Sequence, residues 1–267
     1  MHRDECVPVM AHLVAGFPDL GRSAEAARAL AAGGASYLEI QFPFSDPSAD
    51  GPSIQDACSA ALRAGFRTAD GFSLVRKAVF ATGLPVFIMS YANILYSRGI
   101  ERFTEEAAMA GARGIIVPDL PPDYDEGLYA AGRRAGIAVV PVVAPGITDE
   151  RIALTASVRP EYLYVALRTG ITGGYTDITG ENRAFLERVG TAAPVTMGGF
   201  GIRTAVQVAA LGEHVDVVVA GSVFVDVIRL RSVGSDHTVF SELERTAREL
   251  TVVPRPARKL RAIGKKP

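Results

Sequence analysis

Several residue types that carry chemistry are scarce in this 267-residue sequence. The four lysines lie in a predicted helix or near the C-terminus, so no predicted strand end offers an amine for a Schiff base. The four histidines and two cysteines are scattered, without the spacing of a metal, redox or cysteine–histidine catalytic site. We therefore expect neither a metal ion nor a cofactor.

An excess of charge is also lacking, because 28 lysines and arginines face 29 aspartates and glutamates. A net charge of −1 does not attract nucleic acid or an anionic membrane. The basic tail, about residues 254–267, is either a solvated terminus or a contact for an acidic partner. The N-terminal apolar stretch is short and contains His12, which argues against a signal peptide or a membrane span. We expect a cytoplasmic protein with reduced thiols.

Eight short apolar runs, rich in β-branched residues, recur along the chain and alternate with segments of helical spacing. The runs are roughly Pro8–Val14, Ser36–Ile40, Pro85–Ser90, Gly114–Val117, Ala138–Val142, Tyr162–Leu167, Pro194–Met197 and Val215–Ala220. Continuous apolar runs indicate parallel strands covered on both faces. Because no linker interrupts the alternation, the sequence predicts one (β/α)8 TIM barrel domain over residues 1–267, with the barrel at about 7–250. An open doubly wound sheet is the alternative.

A pair of acidic residues follows the second predicted strand. Glu39 lies inside an apolar run, where burial favours the neutral carboxyl group, raises its pKa and makes it a usable general acid. Asp50 follows two turns stiffened by Pro43 and Pro47, and such a loop can return it to the mouth of the barrel. The alternative is structural, with Glu39 paired to a neighbouring arginine and Asp50 capping a helix.

Glycines cluster after the seventh and eighth predicted strands, at Gly198–Gly201 and at Gly221-Ser222. Glycine lets the backbone approach an anion closely, and the N–H groups at a helix start point towards it. Loops after these two strands commonly bind phosphate in such barrels. The pattern therefore predicts a phosphate site, with tight turns alone as the alternative.

A third glycine-rich stretch, Leu167–Tyr175, begins at the end of the sixth predicted strand. Its composition is typical of a mobile lid that closes over substrate and presents Thr172 and Gly173 to it. A plain loop fits the composition equally well.

The stretch Leu38–Gln55, LEIQFPFSDPSADGPSIQ, resembles the signature of the tryptophan synthase alpha chain family. Further matches follow in the family's order and extend the resemblance from about Val9 to Ile228. They are Tyr91-Ala92-Asn93, Pro118–Pro121, Arg168–Gly173, Gly199–Gly201 and Gly221-Ser222. The resemblance implies a lyase that cleaves indole-3-glycerol phosphate to indole and glyceraldehyde 3-phosphate in L-tryptophan biosynthesis.

By position, the resemblance implies roles for individual residues. Glu39 and Asp50 match the catalytic carboxylates, and Tyr164 matches a tyrosine on the substrate side. The matches to substrate- and phosphate-holding positions are Thr172, Gly173, Phe200, Gly201, Gly221 and Ser222. The family also implies a pyridoxal-phosphate β chain as partner in an α2β2 assembly, with Pro43, Asp46, Pro47 and Asn93 on or near the interface.

Four departures from the family pattern leave alternatives open. After the first strand, Phe17 stands where the family commonly has an aspartate, and Gln41 stands where a glycine is common. Leu167 replaces a common serine, and His12 occupies a position that is often apolar or aromatic. The alternatives are a stand-alone indole-releasing lyase of specialised metabolism, a catalytically impaired subunit that activates a β chain, and another phosphosugar barrel enzyme.

Overall fold

The computed structural model describes residues 5–167, 180–199, 201–231 and 236–256. Strands and helices alternate along these ranges. The strands are β1 (Val9–Val14), β2 (Tyr37–Gln41), β3 (Val86–Met89), β4 (Gly114–Ile116), β5 (Ala138–Val140), β6 (Val142–Val143), β7 (Tyr162–Ala166), β8 (Val195–Gly199) and β9 (Val217–Ala220). The helices are α1 (Leu20–Ala32), α2 (Pro52–Arg63), α3 (Thr68–Thr82), α4 (Ala92–Arg98), α5 (Ile100–Met109), α6 (Leu128–Ala135), α7 (Asp149–Ser157), α8 (Gly180–Val189), α9 (Ala205–Gly212), α10 (Ser222–Arg231) and α11 (Asp236–Thr251).

The strands form one parallel sheet in the order β5-β4-β3-β2-β1-β9-β8-β7-β6. Its two end strands, β5 and β6, are consecutive in the chain and are separated only by Pro141. Proline has no N–H to donate, so it divides the fifth predicted strand into two short ones. The sheet thus closes through this single stretch, and the predicted (β/α)8 barrel is confirmed. The sixth, seventh and eighth predicted strands are β7, β8 and β9.

Side chains alternate between the two faces of each strand. On β1 and β2, Leu13, Leu38 and Ile40 join the apolar layer beneath the helices, whereas Met10 joins the cluster inside the barrel. The same alternation turns Glu39 and Gln41 inward. The inner cluster is otherwise apolar or aromatic, so these polar side chains stand out. Its buried members are Met10, Phe87, Met89, Tyr91, Ile116, Val140, Tyr162, Met197, Val217 and Val219.

Two helix starts fix the loops that surround the mouth of the barrel. α2 begins at Pro52, so half of the long stretch after β2 is helical and the loop itself is shorter than its sequence suggests. α9 begins with a capping box in which Thr204 and Gln207 bond each other's backbone N–H groups. Both helices begin at the end of the barrel where the strands end.

Gly199, the last residue of β8, has no room for a side chain. A Cβ there would lie 2.5 Å from the Val219 carbonyl oxygen, which is part of the neighbouring strand's backbone. We expect Gly199→Ala to lower the free energy of unfolding by about 1–3 kcal/mol, measured by denaturant unfolding. Gly180→Ala is the matched control, because a Cβ at Gly180 meets nothing within 4 Å. Equal stability of the two variants would contradict the crowding at Gly199.

Candidate active site

Glu39 points into the barrel from β2, and the residue is only 3% exposed. The parallel register places His12 of β1 directly beside it. Because both residues face inward, His12 Nδ1 reaches Glu39 Oε2 at 2.8 Å. The partner of the buried glutamate is therefore a histidine and not the arginine considered from the sequence. Depending on which atom holds the proton, this contact suits a neutral pair or an ion pair.

Asp50 lies at the end of the loop after β2 and is 5% exposed. Its Oδ2 accepts hydrogen bonds from Gln41 Nε2 at 2.6 Å and from the Tyr91 hydroxyl at 2.9 Å. Burial raises the pKa of Asp50, although His12 and these two hydrogen bonds oppose the increase. Asp50 is not a helix cap, since Gly51 holds that position before α2 without a side-chain bond. Its carboxylate is instead held inside the barrel.

A second group of residues, which we call the anion-binding end, consists of Gly201, Gly221 and Ser222. Gly201 follows β8 with a φ of +69°, a conformation that favours glycine. Ser222 is the first residue of α10, so N–H groups without partners inside the helix lie at this end. Arg203 reaches the Ser222 hydroxyl at 3.3 Å and pairs with Asp226 at 2.9 Å. This arrangement suits a phosphate group.

One cavity, open at its mouth, joins the two carboxyl groups to the anion-binding end. Tyr164, from β7, lines the same cavity. Burial raises the pKa of its phenol well above the usual range, so Tyr164 stays neutral. The remaining lining is His12, Ala49, Ile54, Met89, Ile116, Pro118, Val142 and Val219. The predicted substrate contacts Thr172, Gly173 and Phe200 lie outside the described residues.

Comparison with known proteins decides the family. The family model of the tryptophan synthase alpha chain matches residues 3–253. The chain belongs to this family. Among its relatives, the tryptophan synthase alpha chain of Helicobacter hepaticus is 40% identical over 228 residues, covering 81% of this chain and 84% of the relative. The alpha chain of Leifsonia xyli is 37% identical over 240 residues, covering 90% and 92%.

Solved structures of tryptophan synthase share the fold of this family member. A tryptophan synthase from Mycobacterium tuberculosis superposes with a TM-score of 0.85 at 30% identity, covering 95% of both chains. A tryptophan synthase complex from Pyrococcus furiosus gives a TM-score of 0.81 at 28% identity, covering 92% of this chain and 98% of the other. The resemblance found in the motifs thus extends over the barrel.

Three features bear on whether the described residues form a membrane span, a metal site or a reactive thiol. Within the described ranges, no helix is both long and apolar enough to cross a membrane. In the same part of the chain, no three or more histidine, cysteine or acidic side chains converge as metal ligands would. Cys6 and Cys58 are both buried and form no disulfide bond, and burial raises the pKa of the Cys58 thiol to about 12. Cys58 is therefore a packing residue at neutral pH.

Two departures from the family pattern, His12 and Gln41, contact the two carboxyl groups directly. Sequence reasoning singled out both positions but not these contacts. The sequence carried a signal only for Gln41, which follows Glu39 by two residues on the same face. His12 lies opposite Glu39 through the strand register, which the sequence pattern does not define. Tyr91 and Arg203 were not assigned roles from the sequence. Their contacts depend on loop paths that the local pattern does not define.

Tyr91 donates a hydrogen bond to Asp50, and the Ala49 N–H donates to the Tyr91 hydroxyl. Tyr91→Phe removes the bond to Asp50, so we expect the pKa of Asp50 to rise further. If turnover needs the carboxylate, kcat/KM falls by up to about tenfold, and more at acidic than at neutral pH. A pH–rate profile measures this. Tyr162→Phe is the control, since the Tyr162 hydroxyl contacts Arg113 instead; identical profiles for both variants would argue against the role of Tyr91.

Proposed function

We propose that this chain cleaves indole-3-glycerol phosphate to indole and glyceraldehyde 3-phosphate, as the alpha subunit of tryptophan synthase in L-tryptophan biosynthesis. The observation that carries the proposal is the single cavity in which two buried acidic groups face an anion-binding end. The substrate has the matching pattern, with an aromatic ring at one end and a phosphate at the other. Membership of the alpha chain family supports the same reaction.

Cleavage of the bond between the indole ring and its side chain needs a proton at ring carbon C3. In this proposal Glu39 supplies it, and the burial of its carboxyl group in the cavity wall supports that role. Protonation at C3 spreads positive charge onto the ring nitrogen. Asp50 as a carboxylate accepts a hydrogen bond from N1–H and stabilises that charge. General acid–base transfer of this kind typically contributes about 10²–10⁴-fold to the rate.

The anion-binding end holds the phosphate in this proposal. Gly221 and the first N–H groups of α10 provide donors, and the Ser222 hydroxyl adds another. Arg203 contributes a positive charge beside them, partly offset by Asp226. Thr172, Gly173 and Phe200 remain predicted contacts on the substrate. Tyr164 and the apolar side chains Ile54, Met89 and Ile116 form the wall against the indole ring.

We further propose that the chain works with a β chain in an α2β2 assembly. The solved relative from Pyrococcus furiosus is a tryptophan synthase complex, which supports such a partner. Pro43, Asp46, Pro47 and Asn93 are the proposed contacts, since they lie in or next to the loops at the mouth of the barrel. Asp46 is exposed there, as is Asn93 at the start of α4.

The test is the release of indole and glyceraldehyde 3-phosphate by the purified chain, with and without a β chain from the same source. The proposal predicts equal amounts of both products and faster turnover when the β chain is present. Full activity without any effect of the β chain would indicate a stand-alone lyase. Stimulation of the β chain without any cleavage would indicate an impaired activating subunit. Either result would overturn the assignment.

A further inference from the structure

His12 is the one histidine that lines the cavity, among the residues the structure describes. Its side chain is 4% exposed and lies on β1 between Glu39 on β2 and the start of α10 after β9. Nδ1 is bonded to Glu39 Oε2 at 2.8 Å. A Cβ built on Gly221 would lie 3.4 Å from His12 Cγ and 3.5 Å from Cδ2, so the ring packs against the anion-binding end. His12 therefore connects the two ends of the cavity.

The second ring nitrogen of His12, Nε2, is buried and has no hydrogen-bond partner in the described part of the chain. A buried polar atom left unpaired costs about 1–3 kcal/mol. Such atoms are uncommon in folded proteins, and each one asks for an explanation such as a ligand. The Nδ1 bond to Glu39 also has a consequence for Nε2. When Nδ1 donates its proton to the glutamate, Nε2 carries the lone pair and acts as a base.

We propose that His12 is the general base of the reaction, with Nε2 taking the proton of the side-chain hydroxyl next to the indole ring. This inference rests on the proposed function. In the resting pair Glu39 holds a proton on Oε1, while His12 Nδ1–H donates to Glu39 Oε2.

The proton transfers balance over one turnover. Glu39 Oε1 gives its proton to indole C3, and the ring nitrogen becomes positively charged. His12 Nε2 then removes the hydroxyl proton. The O–H electron pair forms the aldehyde C=O bond, and the pair of the breaking C–C bond returns to the ring and neutralises it. Finally His12 Nε2 releases its proton to solvent and Glu39 Oε1 takes one from solvent as the products leave, which restores the resting pair.

Among the described residues, the titratable groups that face His12 belong to three elements. They are Glu39 on β2, Asp50 in the loop before α2, and Tyr164 on β7 across the cavity. β9 presents only Val217–Ala220 to β1, and α10 begins with Ser222 beside the ring. In the proposed mechanism His12 must be unprotonated to act as the base, and Asp50 must be ionised to stabilise the ring. The acidic side of the pH profile of kcat is therefore expected to show two protonation steps, one for each group.

The test uses the full chain and two replacements, His12→Phe and His12→Asn. Phenylalanine keeps a ring of similar size without any nitrogen, and asparagine keeps a polar group in place of Nδ1 but has none in place of Nε2. We expect both variants to lose about 10²–10⁴-fold in kcat, with KM changed by less than about threefold. We also expect both to lose one of the two protonation steps on the acidic side of the kcat profile. Thermal unfolding of each variant verifies that it is folded.

Three results would overturn the role of His12 and leave the lyase assignment intact. The first is near-wild-type kcat in both folded variants. The second is recovery of kcat in His12→Asn but not in His12→Phe, because then His12 only orients Glu39. The third is a wild-type kcat profile with a single protonation step on the acidic side, which needs no variant at all. A wild-type chain that releases no indole would instead overturn the proposed function itself.

Discussion

Replacement of Glu39 by glutamine is expected to lower kcat for indole release by about 10²–10⁴-fold, because the amide is too weak an acid to protonate C3. The glutamine side chain has nearly the same shape as the glutamate and fits the same buried position beside His12. The proposed phosphate contacts at Gly201, Gly221 and Ser222 are untouched. Substrate affinity, measured by equilibrium binding to the variant, is therefore expected to stay within about tenfold of the wild-type value.

The matched control for this variant is Glu161→Gln. Glu161 forms an ion pair with Arg113 on the surface, at the start of β7 rather than in the cavity. This replacement is expected to leave kcat unchanged. If Glu39→Gln kept a tenth or more of the wild-type kcat while folded, Glu39 would not be the acid and the mechanism would have no proton source.

Asp50→Asn is expected to have two opposite effects. In the proposed mechanism it removes the negative charge that stabilises the protonated indole ring, and kcat/KM falls about 10²–10³-fold by analogy with the loss of one electrostatic group in other active sites. The same change is expected to increase stability at neutral pH. The pKa of Asp50 is raised in the folded protein by burial, so the ionised carboxylate is less favourable in the folded state than in the unfolded one.

The sign of the pH dependence follows from this raised pKa. Below the ordinary value of 3.8, Asp50 is protonated in both states and its ionisation has no effect on stability. As the pH increases through the folded-state pKa, the wild type loses stability that the asparagine variant keeps. The difference in free energy of unfolding between Asp50→Asn and wild type is therefore expected to be larger at pH 7 than near pH 3.5. Denaturant unfolding at both pH values measures it.

Asp56→Asn is the matched control, because Asp56 is an exposed side chain on α2 near Arg229. Its stability relative to wild type is expected to change little over the same pH range, as for most surface ion pairs. A smaller advantage of Asp50→Asn at pH 7 than near pH 3.5 would contradict the raised pKa of Asp50. It would mean that the carboxylate is better stabilised inside the barrel than in water.

The barrel could be predicted from the sequence because one pattern, an apolar run followed by a segment of helical spacing, recurs along the chain. Each strand is an apolar run, and the strand pattern alone places Glu39 inside the barrel. The break at Pro141 was not predicted. A proline interrupts the hydrogen bonds between strands, but where it does so can be recognised only once the neighbouring strands are known. Phe17 and Leu167, two departures from the family pattern, pack against or within the apolar core, so their effect on the site is indirect.

The candidate site was predicted only in part. Glu39, Asp50, Tyr164, Gly201, Gly221 and Ser222 were named from the sequence and line one cavity. The hydrogen-bond partners of the acids were not foreseen. Tyr91 is 41 positions from Asp50 in the chain, and His12 is 27 positions from Glu39. Contacts across such separations depend on strand register and loop path, which a local pattern does not contain.

A crystal structure of the Glu39→Gln variant with indole-3-glycerol phosphate bound tests the central claim most directly. We expect indole C3 within hydrogen-bonding reach of the side chain at position 39, N1–H bonded to Asp50, and the phosphate at Gly201, Gly221 and Ser222. A phosphate bound elsewhere, or an indole ring away from positions 39 and 50, would contradict the proposed mechanism.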